Sequence, residues 1–353
     1  MNQDPLTAAI CKVVDGKDLT PREAEDAMER LISGSASPSQ IAALLTALHI
    51  KGETVSEIAS FARAMYRFCE KVNARVSGIL VDTCGTGGDK IKTINVSTAA
   101  MFVAAGAGAY VAKHGNRAVT GRVGSADIIE ALGARIDLSP DEVRRCIEET
   151  GVGFMFAPKF HPATRHVAVV RRELGFRTVF NLLGPLTNPA GVGVQLVGVY
   201  DASLCEKIAR VLRELGRERA MVVHGLDGVD EISITGRTVI SELKDDNLST
   251  RVVSPEDFGL KSARVEEVSG GDIDKNVAKF LRILAGEKGP ACDMVLLNAA
   301  AVIMLGGKSD DMVGGICLAR EVLESGKAYA KLVEFIKATG GNLGRLREWE
   351  DKI

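Results

Sequence analysis

Gly78-Ile79-Leu80-Val81-Asp82-Thr83-Cys84-Gly85-Thr86-Gly87-Gly88-Asp89 opens with a short apolar run and ends in a glycine-rich turn. A helical stretch follows, from Ser97 to about Ala107, so the segment predicts a strand that feeds a helix. Another strand is expected at 109–112 and a helix at about 126–132. Ser139-Pro140-Asp141-Glu142 caps a further helix, and 153–157 reads as strand. Downstream, strands at 195–200 and 219–224 flank a helix at 203–215, and 235–243 fits an antiparallel hairpin addition. From Asp272 onward the pattern is mostly helical. Strands alternating with helices in this way indicate βαβ units and a mainly parallel sheet.

Upstream of the glycine-rich segment there is no strand signal, only helix starts. Thr20-Pro21-Arg22-Glu23, Ser37-Pro38-Ser39-Gln40 and Thr54-Val55-Ser56-Glu57 are three capping boxes, predicting helices that reach Gly34, Gly52 and about Val72. The expected organisation is therefore α/β: a small all-helical N-terminal domain over 1–72, then a large α/β domain over 76–353 with a mainly parallel central sheet. A helical cluster this small needs a partner surface, either the rest of the chain or a second copy.

Composition narrows the function. The chain has 353 residues, with 44 Lys plus Arg against 46 Asp plus Glu, a formal charge of −2 that argues against a general nucleic-acid binder. Hydrophobic residues at 46% and charged residues at 25% are those of a folded globular protein. Seven cysteines are scattered singly with no CxxC pair, which reads as free thiols in a reducing compartment and not as a disulfide framework or zinc site. Residues 1–18 lack the pattern of a signal peptide, and the longest apolar runs, 99–112 and 294–305, fall short of a bilayer span and contain Gly or Asn. A cytoplasmic protein is expected.

Five segments could carry chemistry. Asp82 to Asp89 places three glycines in four positions, so backbone N–H groups can approach an anion with no Cβ intervening, though a plain strand-to-helix turn would look the same. It is neither G-x-G-x-x-G nor a P-loop, which disfavours a dinucleotide or nucleoside triphosphate. Asn95-Val96-Ser97-Thr98 opens an apolar helix and offers either an anion site or ordinary N-capping. Lys113-His114-Gly115-Asn116-Arg117 ends an apolar strand, where open α/β sheets bind ligands, and Gly124-Ser125-Ala126-Asp127 follows at a helix start. Two cations and an amide there suit a phosphorylated ligand; the alternative is a solvated loop with His114 capping or packed, which its neighbours disfavour. Asp230-Glu231 are adjacent carboxylates after a strand, oxygen ligands of the kind Mg²⁺ takes when a phosphorylated substrate completes its shell, or else exposed turn acids. Arg171-Arg172, after His161-Pro162, are surface arginines unless a carboxylate needs a bidentate partner.

Taken together, these segments resemble the anthranilate phosphoribosyltransferase family of tryptophan synthesis. The likeness rests on Gly85 to Asp89, Asn95 to Thr98, Lys113 to Arg117, Gly124 to Asp127, Phe154 to Pro158, His161 to Ala163, Arg171 to Gly175, Phe180 to Pro189 and Asp230-Glu231, in family order and roughly family spacing. The resemblance implies a homodimer of two-domain subunits that transfers phosphoribose from 5-phosphoribosyl 1-diphosphate to the amino group of anthranilate, without a dedicated acid or base, and with no nucleic-acid or membrane partner. Gly85, Gly88 and Asp89 would form the diphosphate loop. Thr93, Asn95, Val96, Ser97 and Thr98 would line the phosphoribosyl site. Lys113, His114, Gly115, Asn116, Arg117, Ala118, Val119, Thr120 and Gly121 would form a flexible loop over that substrate, which Ser125 would also contact. Gly85, Asn116, His161, Arg171 and Gly184 would meet anthranilate, with Arg171 on its carboxylate. Ser97, Asp230 and Glu231 would hold two Mg²⁺ ions per subunit. Family members often carry two serines and a Lys-Ser where this chain has Thr120-Gly121-Arg122-Val123, so Gly121 offers backbone alone and a more mobile loop is expected.

Two other readings compete. A pyrimidine nucleoside phosphorylase is similar in fold and has its own glycine-rich phosphate loop, but needs no diphosphate-bound metal pair; Asp230-Glu231 and Asn181 to Pro189 argue against it. A non-catalytic nucleic-acid binder is at odds with the charge of −2 and the intact acidic pair.

Overall fold

Four helices precede any strand: α1 (Pro5–Val14), α2 (Pro21–Ile32), α3 (Pro38–Lys51) and α4 (Val55–Arg67). The computed structural model describes residues 4–88, 91, 93–118 and 123–352. The three expected capping boxes all form, each with hydroxyl and Glu or Gln reciprocally bonded. Helix α1 is an addition to the expected set. Asp4 caps it by accepting from the Thr7 N–H, with Pro5 in its first turn, but its third position is Thr7, so the Glu or Gln half of the box is missing. Helix α4 stops at Arg67, short of the expected 72, and an extended connector then leads to the sheet.

The second unit alternates strand and helix: β1 (Leu80–Gly85), α5 (Val96–Gly106), β2 (Tyr110–Gly115), α6 (Ser125–Ala131), α7 (Pro140–Thr150), β3 (Val152–Phe156) and α8 (Ala157–Phe160). Then come α9 (Arg165–Leu174), α10 (Phe180–Leu186), β4 (Val194–Gly198), α11 (Leu204–Glu214) and β5 (Arg219–Gly225). The hairpin β6 (Thr238–Lys244) and β7 (Asn247–Val253) completes the sheet. Six helices close the chain: α12 (Val265–Val268), α13 (Ile273–Leu284), α14 (Pro290–Leu305), α15 (Met312–Glu324), α16 (Lys327–Ala338) and α17 (Leu343–Glu350).

The seven strands lie in the order β3-β2-β1-β4-β5-β6-β7; the first five are parallel and the hairpin is antiparallel. From β1 the chain winds outward to β2 and β3, then returns to place β4 on the other side of β1. The order reverses between β1 and β4, and such a switch leaves a crevice at the carboxyl ends of the strands. Strand β2 runs three residues beyond the expected 109–112, pairing Lys113, His114 and Gly115 with Phe154, Met155 and Phe156. Those three residues therefore belong to the sheet and not to a loop over the substrate. Polar side chains concealed the strand end, although backbone pairing is indifferent to them.

Side chains alternate across the strands, so each face of the sheet has its own apolar core. Val194, Leu196, Met221 and Val223 pack on one side with α5, α14 and α16. Val197, Val199, Ala220 and Val222 pack on the other with α9, α10, α11 and the N-terminal helices. The rest of the chain thus supplies a partner surface for α1–α4. The two long apolar runs are core helices: α5 and α14 are buried on nearly every side, as helices without a polar face must be. No helix among the described residues is long and apolar enough to cross a membrane.

Candidate active site

Two glycines bring the acidic pair to the switch point. Gly85 ends β1 and pairs with Gly198 of β4. A Cβ on Gly85 would lie 2.5 Å from Asp230 Oδ2, and one on Gly198 would collide with the Asp230 carbonyl oxygen. Without side chains at either place, the segment after β5 settles directly over the strand ends. Asp230 Oδ2 then accepts from the Gly87 N–H at 2.9 Å, and Glu231 Oε1 from the Ser97 N–H at 3.1 Å. Behind them Asn298, at the centre of α14, brackets Ile232: its Oδ1 accepts from the Ile232 N–H and its Nδ2 donates to the Ile232 carbonyl, both at 2.9 Å. Burial pushes the Asp230 carboxyl upward against the pull of the Gly87 N–H and the nearby Lys113.

The start of α5 supplies the neighbouring wall. Asn95 makes no capping bond; its Nδ2 donates to the Val123 carbonyl and its Oδ1 is buried without a partner. Thr98 Oγ1 and Thr83 Oγ1 are likewise buried and unpartnered. Ordinary capping therefore does not account for Asn95 and Thr98, and with Thr83 of β1 they leave buried polar atoms open to a ligand beside this helix start. Val96 has its side chain in the core and its N–H on the Ile94 carbonyl, while Thr93 bridges to Ser269. Lys113 Nζ is buried and donates to Ser97 Oγ at 3.0 Å and to the Thr83 carbonyl.

Strand alternation sends His114, next to Lys113, to the opposite wall. Its Nδ1 lies 3.2 Å from the Gly184 carbonyl in α10, and its ring centre is 5.0 Å from that of His161. A carbonyl can only accept, so Nδ1 carries the proton and Nε2 remains a bare acceptor. Both histidines are buried with Nε2 unpartnered. Burial lowers both pKa values, to about 3 for His161, where His114 adds to the effect, so both rings are neutral at pH 7. A Cβ on Gly184 would meet nothing within 4 Å, so α10 faces open space there. Arg171 of α9 lies 5.1 Å from the Phe180 ring, half-buried, and desolvation alone depresses its pKa; no counter-ion offsets it among the described residues. A desolvated guanidinium without a carboxylate is a receptor for one.

The loop after β2 is pinned at its described ends. Asp127 Oδ2 accepts from the N–H groups of Ala118 at 3.0 Å and Gly124 at 2.8 Å. Arg117 is drawn away to Asp127 and Glu130 of α6, and the Arg117 N–H occupies Asn116 Oδ1 at 2.8 Å. Ser125 Oγ donates to the Asn116 carbonyl, and Gly115 packs against Ser125 and Phe154. Asp89, Val119, Thr120 and Gly121 lie outside the described residues.

The fold thus gathers Gly85, Ser97, Lys113, Asp230 and Glu231 on one side, and His114, His161, Arg171 and Gly184 on the other. Sequence reasoning missed Asn298, Gln195 and Arg177. Gln195 joins the buried Asp82 carboxylate to the Pro185 carbonyl, tying β1 to α10. Asn298 had a visible signal, an amide alone in an apolar run. Arg177 donates to the Gly88 carbonyl and had none.

Two carboxylates and a hydroxyl are hard oxygen donors, too few to close a shell, and no group of three or more His, Cys, Asp or Glu that could hold a metal occurs among the described residues. Together with the desolvated Asp230, that set fits Mg²⁺, which keeps waters and takes phosphate oxygens as remaining ligands.

Comparison with known proteins gives the same picture. Residues 7–69 match the helical bundle domain, and residues 77–329 the a/b domain, of a glycosyl transferase family. The anthranilate phosphoribosyltransferase of Rubrobacter xylanophilus is 53% identical over 341 residues, 96% of this chain and 99% of that protein. The crystal structure of anthranilate phosphoribosyltransferase from Thermus thermophilus is 44% identical with a TM-score of 0.89, covering 94% of this chain and 99% of that one. The Saccharomyces cerevisiae enzyme in complex with PRPP and Mg is 29% identical with a TM-score of 0.86, covering 95% and 98%. A switch-point crevice with an acidic pair on one wall and, on the other, an arginine unpaired among the described residues, carried by a chain 53% identical to the Rubrobacter enzyme over 96% of its length, places the chain in the anthranilate phosphoribosyltransferase family.

Proposed function

We propose that this site moves the phosphoribosyl group of 5-phosphoribosyl 1-diphosphate onto the amino group of anthranilate, releasing diphosphate, as a glycosyltransferase step of tryptophan biosynthesis. The observation that carries it is the pairing of opposites across one crevice. One wall offers orphaned hydroxyls and two carboxylates, held by backbone N–H groups, to a metal-bound diphosphate; the other offers a desolvated Arg171, without a counter-ion among the described residues, and neutral imidazoles to an aromatic acid.

Gly85, Gly88, Asp89, Thr93, Asn95 to Thr98, Lys113, Gly115, Asn116, Ala118 to Gly121 and Ser125 bind the phosphoribosyl diphosphate; His114 turns instead to the anthranilate side, and the Arg117 side chain is held by Asp127 and Glu130. Within that set Val96 acts only by setting the helix start, and Lys113 by holding Ser97. Arg171 takes the anthranilate carboxylate, with Gly85, Asn116, His161 and Gly184 around the ring. Ser97, Asp230 and Glu231 hold Mg²⁺, two ions per subunit, which supply positive charge to the diphosphate oxygens. The C1′–O bond breaks with its electron pair leaving on the diphosphate, the amine nitrogen bonds to C1′, and its surplus proton passes to solvent. The amine is neutral at pH 7, so the protein's task is alignment and not deprotonation. Residues 1–72 act as a helical domain that also forms a homodimer contact, 76–353 as the catalytic domain, and the enzyme works in the cytoplasm.

The test is the fluorescence of anthranilate mixed with protein, 5-phosphoribosyl 1-diphosphate and Mg²⁺. Decay that stops on chelation is expected. Nucleoside phosphorolysis without anthranilate consumption would replace this reading, and light scattering at the monomer mass would remove the dimer.

A further inference from the structure

The short connection between α9 and α10 carries two side chains that the site so far leaves unused. Phe176 meets the helical unit, its ring centre 4.8 Å from that of His49 in α3. Arg177, next in sequence, reaches the glycine-rich turn. Its Nη2 donates to the Gly88 carbonyl at 2.5 Å, and its guanidinium carbon lies 3.8 Å from the centre of the Tyr200 ring. Tyr200 is itself part of the same assembly: its N–H donates to Thr86 Oγ1 at 3.1 Å, while the Thr86 N–H donates to the Gly198 carbonyl at 2.9 Å. Gly88 has φ +85°, and a Cβ there would run into the Arg177 guanidinium. The arginine occupies the space a side chain at residue 88 would need.

We infer that Arg177, stacked on Tyr200, is a positioning residue for the phosphoribosyl diphosphate half of the reaction. This rests on the reading that the turn at Gly85 to Gly88 receives the diphosphate. A backbone carbonyl turned toward an anion repels it, whereas the N–H groups beside it attract it. By engaging the Gly88 carbonyl, the guanidinium fixes that oxygen and with it the orientation of the neighbouring peptide planes. Stacking on Tyr200 fixes the guanidinium in turn, a geometry open to a planar cation and closed to an ammonium. Arg177 acts through Gly88, so its loss should register on one substrate and not on both.

The experiment uses the full chain carrying R177Q, R177K, Y200L or Y200F. It measures KM for each substrate with Mg²⁺ saturating, binding of 5-phosphoribosyl 1-diphosphate by calorimetry without anthranilate, and thermal unfolding. R177Q, R177K and Y200L should raise the KM and Kd for 5-phosphoribosyl 1-diphosphate about tenfold. The anthranilate KM should stay within about twofold. Y200F keeps the ring and should match the wild type. Equal rises in both KM values, full activity in R177K, or a loss in Y200F equal to that in Y200L would each overturn the inference. If the wild type itself fails to bind 5-phosphoribosyl 1-diphosphate, the reading of the turn falls, and this inference with it.

Discussion

At the carboxyl ends of β1 and β4 the acidic pair is set in place mostly by backbone: by the Gly87 and Ser97 N–H groups that donate to Asp230 and Glu231, and by the close approach that Gly85 and Gly198 permit. Around α9 and α10 they are side chains: Arg171, His114 and His161, set beside an open glycine. The first region is inseparable from the sheet, since its geometry is the strand register and the turn after β5. The second is a convergence of side chains from separate elements, Arg171 from α9, His114 from β2 and His161 from the turn after α8. Changes in the first should act on turnover, and changes in the second on the affinity for one substrate with the fold left standing.

The largest effect tests the backbone-built side. Asp230→Ala or Glu231→Ala should lower kcat by roughly 100- to 1,000-fold, the scale of losing one preorganised charge-stabilising group. The anthranilate KM should move little; parallel losses in both would erase the contrast between the two walls. Arg171→Ala comes next, with a rise in anthranilate KM worth about 1.5–3 kcal/mol and kcat nearly kept. An unchanged KM would put the carboxylate elsewhere.

The third effect is on stability. The His161 pKa is held at about 3 in the folded chain, against an ordinary 6.5. Between those values the unfolded chain binds a proton that the folded one does not. Stability therefore falls as the pH drops below about 6.5, by about 1.4 kcal/mol per pH unit for this group. His161→Leu should flatten that slope in denaturant melts from pH 6.5 to 4. An identical slope would mean that the ring is solvated. Gly184→Ala is the smallest. The methyl enters open space, so helix propensity should stabilise the fold by up to about 1 kcal/mol while the anthranilate KM rises a few-fold. A lowered melting temperature would show the space to be filled.

How legible the molecule is in its sequence depends on the range over which each feature is decided. The three capping boxes are local and plain, whereas α1, with half a box, escapes. The acidic pair and the glycine-rich turn are legible as candidates because each follows an expected strand, although Gly and Asp are also ordinary turn residues. What no local reading reaches is convergence. That Lys113 and His114 face opposite walls follows from β2 running to Gly115, and this depends on pairing with β3, some forty residues on. The His114–His161 contact and the Arg177–Gly88 bond exist only once the helices between β3 and β4 fold back over the crevice. Asn298 is visible as an interruption of an apolar run; its service to Ile232 needs the fold.

The nearly all-apolar helix α14 also sets when this protein can become itself during synthesis. Its neighbours in the core include α5, β1 and β4, all translated earlier, and it runs from Pro290 to Leu305. At about 5–20 residues per second, α5 waits roughly 10–40 s for its principal partner to leave the ribosome. For that interval the nascent chain exposes an apolar helix and one face of a half-covered sheet. Ribosome-bound chains ending before residue 290 are therefore natural clients for chaperones, and only chains long enough for residue 305 to have cleared the ribosome can bury the surface that recruits them.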